Sequence, residues 1–164
     1  MNRLAPLKKI PDTLLYRPPQ TNSFRMFNTK TGDFLGEMIL DKRESEMFVR
    51  WLDVKPEHRR QGVGTKFLDF AKNISKSFGF EGRLRLMASV MASDIKNPPH
   101  IFYRKYGFTS DDKKMLSRID KLIKKHKQLD TMKALPLYMY YDPNLVESKS
   151  NTKNIISKVL DYIM

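Results

Sequence analysis

The chain has 164 residues, enough for one ordinary domain with its own core and too few for two of typical size. Hydrophobic residues at 40% and aromatic residues at 11% mark a chain that folds, and the absence of cysteine excludes a disulfide scaffold, a thiolate metal site and a cysteine nucleophile. Lysine and arginine total 31 against 18 acidic residues, a net +13 that gathers anions and leaves nucleic acid, a membrane surface and a polyphosphate cofactor all open.

Three scattered histidines give no metal-ligand spacing, so no metal is expected. No apolar run approaches the roughly 18 residues that cross a bilayer, and Met1 to Ile10 hold no apolar signal core. The expectation is a cytoplasmic protein with no membrane role.

Residues 1–21 hold four of the nine prolines and read as an irregular arm, with a short strand over Thr13 to Tyr16. Phe24 to Asn28, Phe34 to Leu40 and Met47 to Val54 are apolar-rich segments separated by turn-like polar runs, which predicts an antiparallel meander. After Pro56 the period changes. Val63, Phe67, Phe70, Ile74 and Phe78 recur at helical spacing, and Gly79 stands at a helix C′ position. Arg83 to Val90 alternates as a strand, so strand, helix, strand in this order implies a parallel crossover.

A short helix then opens at Pro98 and Pro99 and closes at Gly107, carrying Ile101, Phe102 and Tyr106. Thr109 and Ser110 are placed to cap an amphipathic helix with a stripe of Met115, Ile119, Leu122, Ile123 and Leu129 and a lysine-rich opposite face. This basic segment, 109–134, is followed by a strand over Leu135 to Tyr141. A terminal helix is predicted over 145–164, striped by Ile155, Ile156, Val159, Leu160 and Ile163. The whole reads as a single α/β domain.

The most informative stretch runs from Trp51 to Thr65: a strand end, a loop and a helix start. The first amides of a helix lack intrahelical acceptors and sit at the positive end of its dipole, and glycines let a ligand approach the backbone, so Gly62 and Gly64 suit an anion cradle. A dinucleotide fingerprint fails because Phe67 stands where its third glycine belongs. A mononucleotide P-loop fails because Thr65 and Lys66 follow Gly64 in the wrong order.

What fits is Arg59-x-x-Gly62-x-Gly64, preceded by Val54-x-Pro56-Glu57-His58 and followed at a distance by Phe102-Tyr103-Arg104-Lys105-Tyr106-Gly107-Phe108. In these motifs the chain resembles the GNAT superfamily of acyl-coenzyme A-dependent N-acyltransferases, over about residues 22 to 108 and more weakly at Leu135 to Tyr141. The resemblance implies the GNAT fold, a mostly antiparallel mixed sheet in which one parallel strand pair splays apart, flanked by helices. It implies acetyl-CoA as co-substrate, with backbone at Asp53 and Val54 facing pantetheine and thioester, and Gln61, Gly62, Val63, Gly64 and Thr65 holding the pyrophosphate. Arg59, Arg60, Asn97 and Tyr103 complete the implied cofactor-binding set.

Transfer from a thioester to an amine needs a neutral amine, a stabilised oxyanion and a proton for the departing thiolate, and no covalent enzyme residue. By resemblance Tyr103 is the thiolate's proton donor; the alternative is a core aromatic among Ile101, Phe102 and Tyr106. Glu46 falls where some histone-acetylating relatives carry a base. Asp53 and His100 are rivals for that role, and many relatives use ordered water instead. GNAT domains usually place two helices ahead of the meander as a wall of the acceptor site, and this chain has no room for them. The 109–134 insertion and the terminal helix are expected to shape that side.

The expected activity is acetyl transfer to a primary amine by direct attack, on a peptide or protein amine first and on an aminoacyl-tRNA, as in toxin-like relatives, second. A non-catalytic basic module binding CoA or RNA is the rival of a different class. RNA or an acidic protein is a candidate partner, and a monomer or a homodimer fits equally.

Overall fold

The computed structural model describes residues 9–90 and 98–146. Its strands are β1 (Thr13–Tyr16), β2 (Ser23–Asn28), β3 (Phe34–Lys42), β4 (Met47–Val54), β5 (Leu84–Ala88) and β6 (Leu137–Tyr141); its α-helices are α1 (Val63–Ser77), α2 (His100–Tyr106) and α3 (Lys113–Lys124). The six strands form one sheet in chain order, and every neighbouring pair is antiparallel except β4 and β5. The chain therefore has the mixed, mostly antiparallel α/β architecture anticipated from its sequence.

One face of the sheet is closed. Alternate residues such as Met26, Met38, Leu40, Val49, Leu86 and Met139 are buried there in one core with α1, whose own buried residues are Val63, Phe67, Leu68, Ala71 and Ser75. Each fully buried Leu or Phe contributes about 1.5–3 kcal/mol. The buried stripe is rotated from the one read in the sequence: Phe70 and Ile74 are only partly buried, and Phe78 is an exposed C-cap. Gly79, at φ 78°, ends the helix as predicted, with the Phe80 amide donating to the Ser75 carbonyl at 2.9 Å.

The opposite face is open among the described residues. Leu14, Tyr16, Trp51, Met87 and Tyr138 are exposed, and register puts Tyr16 beside Arg25, Trp51 beside Ile39 and Met87 beside Tyr138. No helix separates β1 from β2; residues 17–22 join them directly.

β4 and β5 pair only at Met47–Leu84, Phe48–Arg85 and Val49–Leu86. Beyond that point the two strands separate. The cause lies in β4's other edge, where Ile39 pairs with Trp51 and Leu40 with Val49, leaving Arg50 as an extra residue. Such a bulge bends the strand that carries it and increases its twist. Gly36 lets β3 follow the bend, because a side chain there would overlap the Asp53 carbonyl oxygen.

The amphipathic helix departs from its predicted start. Asp112 is the N-cap and accepts from the Met115 amide at 2.9 Å. Thr109 instead exchanges two backbone hydrogen bonds with Tyr140, each 2.9 Å, and Ser110 donates to the Tyr138 carbonyl at 2.7 Å. Both are therefore tied to β6. The helix ends at Lys124, so Leu129 is buried from a loop and not from the helical stripe. Residues 143–146 are helical, and the rest of the predicted terminal helix lies outside the described residues.

Candidate active site

The loop after β4 makes a turn of 3-10 helix at Pro56–His58 and then two left-handed residues, Arg60 at φ 60° and Gly62 at φ 84°, before α1 begins. Gly62 is the N-cap without a side chain, and the first turn of α1 holds no acidic residue, so the amides of Val63, Gly64 and Thr65 face no competing carboxylate of their own turn. Arg60 and Thr65 are exposed beside them. Gln61 Oε1 is buried with no partner. A helix start of this form offers free backbone amides that suit an anion.

Two residues of the loop do something the sequence did not indicate. Arg59 turns inward: its Nε donates to the Val54 carbonyl at 2.9 Å, and its guanidinium lies 3.6 Å from the Asp53 carboxylate. It braces the end of β4 next to the proposed pantetheine segment. Gly64, read as a point of ligand approach, has a second reason to be glycine. A Cβ there would lie 2.9 Å from the Phe102 ring, so the glycine seats α2 against the start of α1.

That contact brings Tyr103 to the cradle's end of the molecule. Tyr103 is buried, 7% exposed, with its ring 5.3 Å from that of Phe102 and 5.7 Å from that of Phe108. Burial pushes its phenol well above the ordinary value of 10.0, so it carries its proton throughout the physiological range. The neighbouring Tyr106 is used differently, donating to Asp69 at 2.6 Å on α1.

The three base candidates are dispersed. Glu46 accepts from Arg85 Nε at 2.6 Å, at the end where β4 and β5 are still paired. Asp53 faces Arg59. His100 is fully buried, its Nε2 lies 2.8 Å from the Leu135 carbonyl oxygen, and its Nδ1 has no partner. Nε2 must therefore carry the proton it donates, and burial, only partly opposed by that bond, lowers the pKa below 6.5 and keeps the ring neutral. Asn97 lies outside the described residues. Among the described residues no group of three or more His, Cys, Asp or Glu is arranged to hold a metal, and no helix is long and apolar enough to cross a membrane.

A parallel strand pair that opens beside a helix-borne anion cradle is the architecture of an acyl-coenzyme A-dependent transferase domain. The chain belongs to the GNAT acetyltransferase family: the family model described as an acetyltransferase (GNAT) domain matches residues 25–110, more than half of its length.

Solved structures similar in fold include nourseothricin acetyltransferase, at 24% identity over 74% of this chain and 65% of that one, with a TM-score of 0.49. The PaiA N-acetyltransferase of Thermoplasma acidophilum in complex with coenzyme A is 20% identical over 80% of this chain and 61% of that one, with a TM-score of 0.50. Ard1 from Thermoplasma volcanium is 17% identical over 73% and 69%, with a TM-score of 0.48. The chain spans about two thirds of the length of these proteins.

Two outcomes are expected from this geometry. A Cβ at Gly62 would meet only Lys9 methylenes, at 3.7 and 3.8 Å, so Asn and Asp both fit there at the cost of a left-handed backbone. Calorimetry should find coenzyme A bound at least about tenfold more weakly by Gly62→Asp than by Gly62→Asn, since only the carboxylate repels the ligand.

His100 contributes to acid stability. Below pH 6.5 the unfolded chain takes up a proton that the buried ring refuses, so this contribution is complete above pH 6.5 and is lost as pH falls towards the folded pKa, by at most about 1.4 kcal/mol per pH unit. Urea midpoints measured from pH 7.5 to pH 5 should fall more steeply for the wild type than for His100→Gln.

Proposed function

We propose that the protein transfers an acetyl group from acetyl-CoA to a primary amine by direct attack. The observation that carries this reading is the separation of β4 from β5 after Val49 and Leu86, flanked by the cradle at Gly62 to Thr65. Pantetheine in the gap finds strand backbone along Asp53 and Val54, which have β3 on one side and, among the described residues, no strand on the other. Amides from Gln61 to Thr65 hold the pyrophosphate, and Arg60 adds charge at the rim.

The amine attacks the thioester carbonyl, and the tetrahedral intermediate collapses as the carbon–sulfur bond breaks. Tyr103 gives its proton to the departing sulfur. The low-dielectric surroundings that hold its phenol protonated also make a bare thiolate costly, so both partners favour the transfer. Glu46 and Asp53 are each engaged by an arginine and the free nitrogen of His100 is sealed in the core, so the amine's proton leaves through water. A peptide or protein amine is the acceptor this reading favours.

A second acceptor class rests on α3. Lys114, Lys121, Lys124 and Lys125 are all exposed, while Met115, Leu116 and Ile119 are buried. Beside them a cleft of about 450 Å³ between α2 and α3 is lined by Lys113, Lys121 and Lys124 and by Arg104, whose guanidinium is already paired with Asp120 at 2.8 and 3.0 Å. Such a face suits the phosphates of an aminoacyl-tRNA.

Tyr103→Phe should lower turnover by about 10²- to 10⁴-fold while leaving the dissociation constant for acetyl-CoA nearly unchanged. Stopped thiol release over a panel of amines, paired with calorimetry, separates the two quantities; wild-type turnover would remove the proton-donor role. Replacing Lys114, Lys121, Lys124 and Lys125 together by glutamine should weaken tRNA binding at low salt and flatten its salt dependence. An unchanged affinity and slope would leave the peptide or protein amine as the acceptor.

A further inference from the structure

The N-terminal arm is fastened to the cradle by bonds that neither the meander nor the helices require. The Ile10 amide donates to the Gln61 carbonyl at 3.2 Å, and Lys66, in the first turn of α1, donates from Nζ to the Ile10 carbonyl at 2.9 Å, the Pro11 carbonyl at 3.0 Å and Thr13 Oγ1 at 3.1 Å. Three acceptors use all three protons of that ammonium, so Lys66 has none left for a ligand. None of the acceptors is a carboxylate, and a cation in the first turn of a helix is disfavoured by the dipole.

The residue this fastening carries to the loop is Lys9. It is exposed, and its Cγ and Cδ pass 3.7 and 3.8 Å from the point where a Gly62 side chain would begin. Among the described residues no carboxylate pairs with Lys9 or Lys66.

We infer that the arm is part of the coenzyme site: Lys9 donates a charged hydrogen bond to the pyrophosphate held at Gly62 to Thr65, and Lys66 is the residue that positions it. The inference rests on the acetyl-CoA reading above and goes beyond it by assigning a cation from outside the loop motif. A doubly charged pyrophosphate also offsets the two uncompensated ammonium groups, which a neutral ligand cannot do.

Calorimetry with coenzyme A and with 3′-dephospho-coenzyme A tests it on the full chain. Lys9→Gln should weaken both ligands about tenfold, because the pyrophosphate is common to them. Lys66→Met should weaken both to the same degree, Lys66→Arg should restore binding, and Lys9→Gln combined with Lys66→Met should be no weaker than Lys66→Met alone. Wild-type affinity in Lys9→Gln overturns the inference, as does a loss that disappears with the dephospho ligand. Additive losses in the double variant overturn the positioning role of Lys66. Wild-type protein that binds neither ligand removes the acetyl-CoA reading itself, a result distinct from all of these.

Discussion

Arg50, the residue left out of the backbone ladder between β3 and β4, is the constraint on which the site depends. A regular ladder would carry β4 straight on beside β5, and their edges would close on each other along the whole length. The extra residue bends β4 away immediately after the last paired position, Val49 with Leu86. Everything downstream inherits that bend. Asp53 and Val54 keep β3 on one edge only, Gly36 must lack a side chain to follow them, and Arg59 has to reach back to the Val54 carbonyl to hold the free end.

Polar groups are distributed around that gap with a consistent bias. Two carboxylates of the strand pair are engaged by arginines, Glu46 by Arg85 at its paired end and Asp53 by Arg59 at its open end, while the helix start and the arm leave amides and ammonium groups uncompensated. The local field therefore favours an anion at the cradle and is not merely a share of the overall +13. Phe102, Tyr103 and Phe108 form an aromatic cluster at α2, which Phe102 seats against the start of α1. A ligand with a charged head and an uncharged arm matches both halves.

Most of the fold was legible because its signals are local. Met47–Val54 begins and ends where the sequence indicated, Gly79 and Gly107 close their helices, and the strand–helix–strand order required a parallel pair. The misreadings share one physical cause, which is competition among nearby groups for the same role. Asp112 outcompetes Thr109 and Ser110 as cap because β6 takes both of those, and Leu68 and Ala71 displace Phe70 and Ile74 from the centre of the buried face. The loop motif marked a helix start with free amides, but the pairing of Glu46 with Arg85 and the seating of the arm on Lys66 join residues distant in the chain, and the inward turn of Arg59 is a choice of side-chain direction, so no local pattern marks them.

The contact between Gly64 and Phe102 has a consequence of its own. It welds the start of the ligand-facing helix to the helix that carries Tyr103, so the two positions share a single volume. Substitutions at one are felt at the other, and their energies do not add. A smaller ring at position 102 would make room for a side chain at position 64, whereas the same side chain against the native ring would displace α2 and Tyr103 with it. The two positions are therefore free to drift only as a pair, and the spacing between the loop motif and the aromatic motif is held by packing as much as by chemistry.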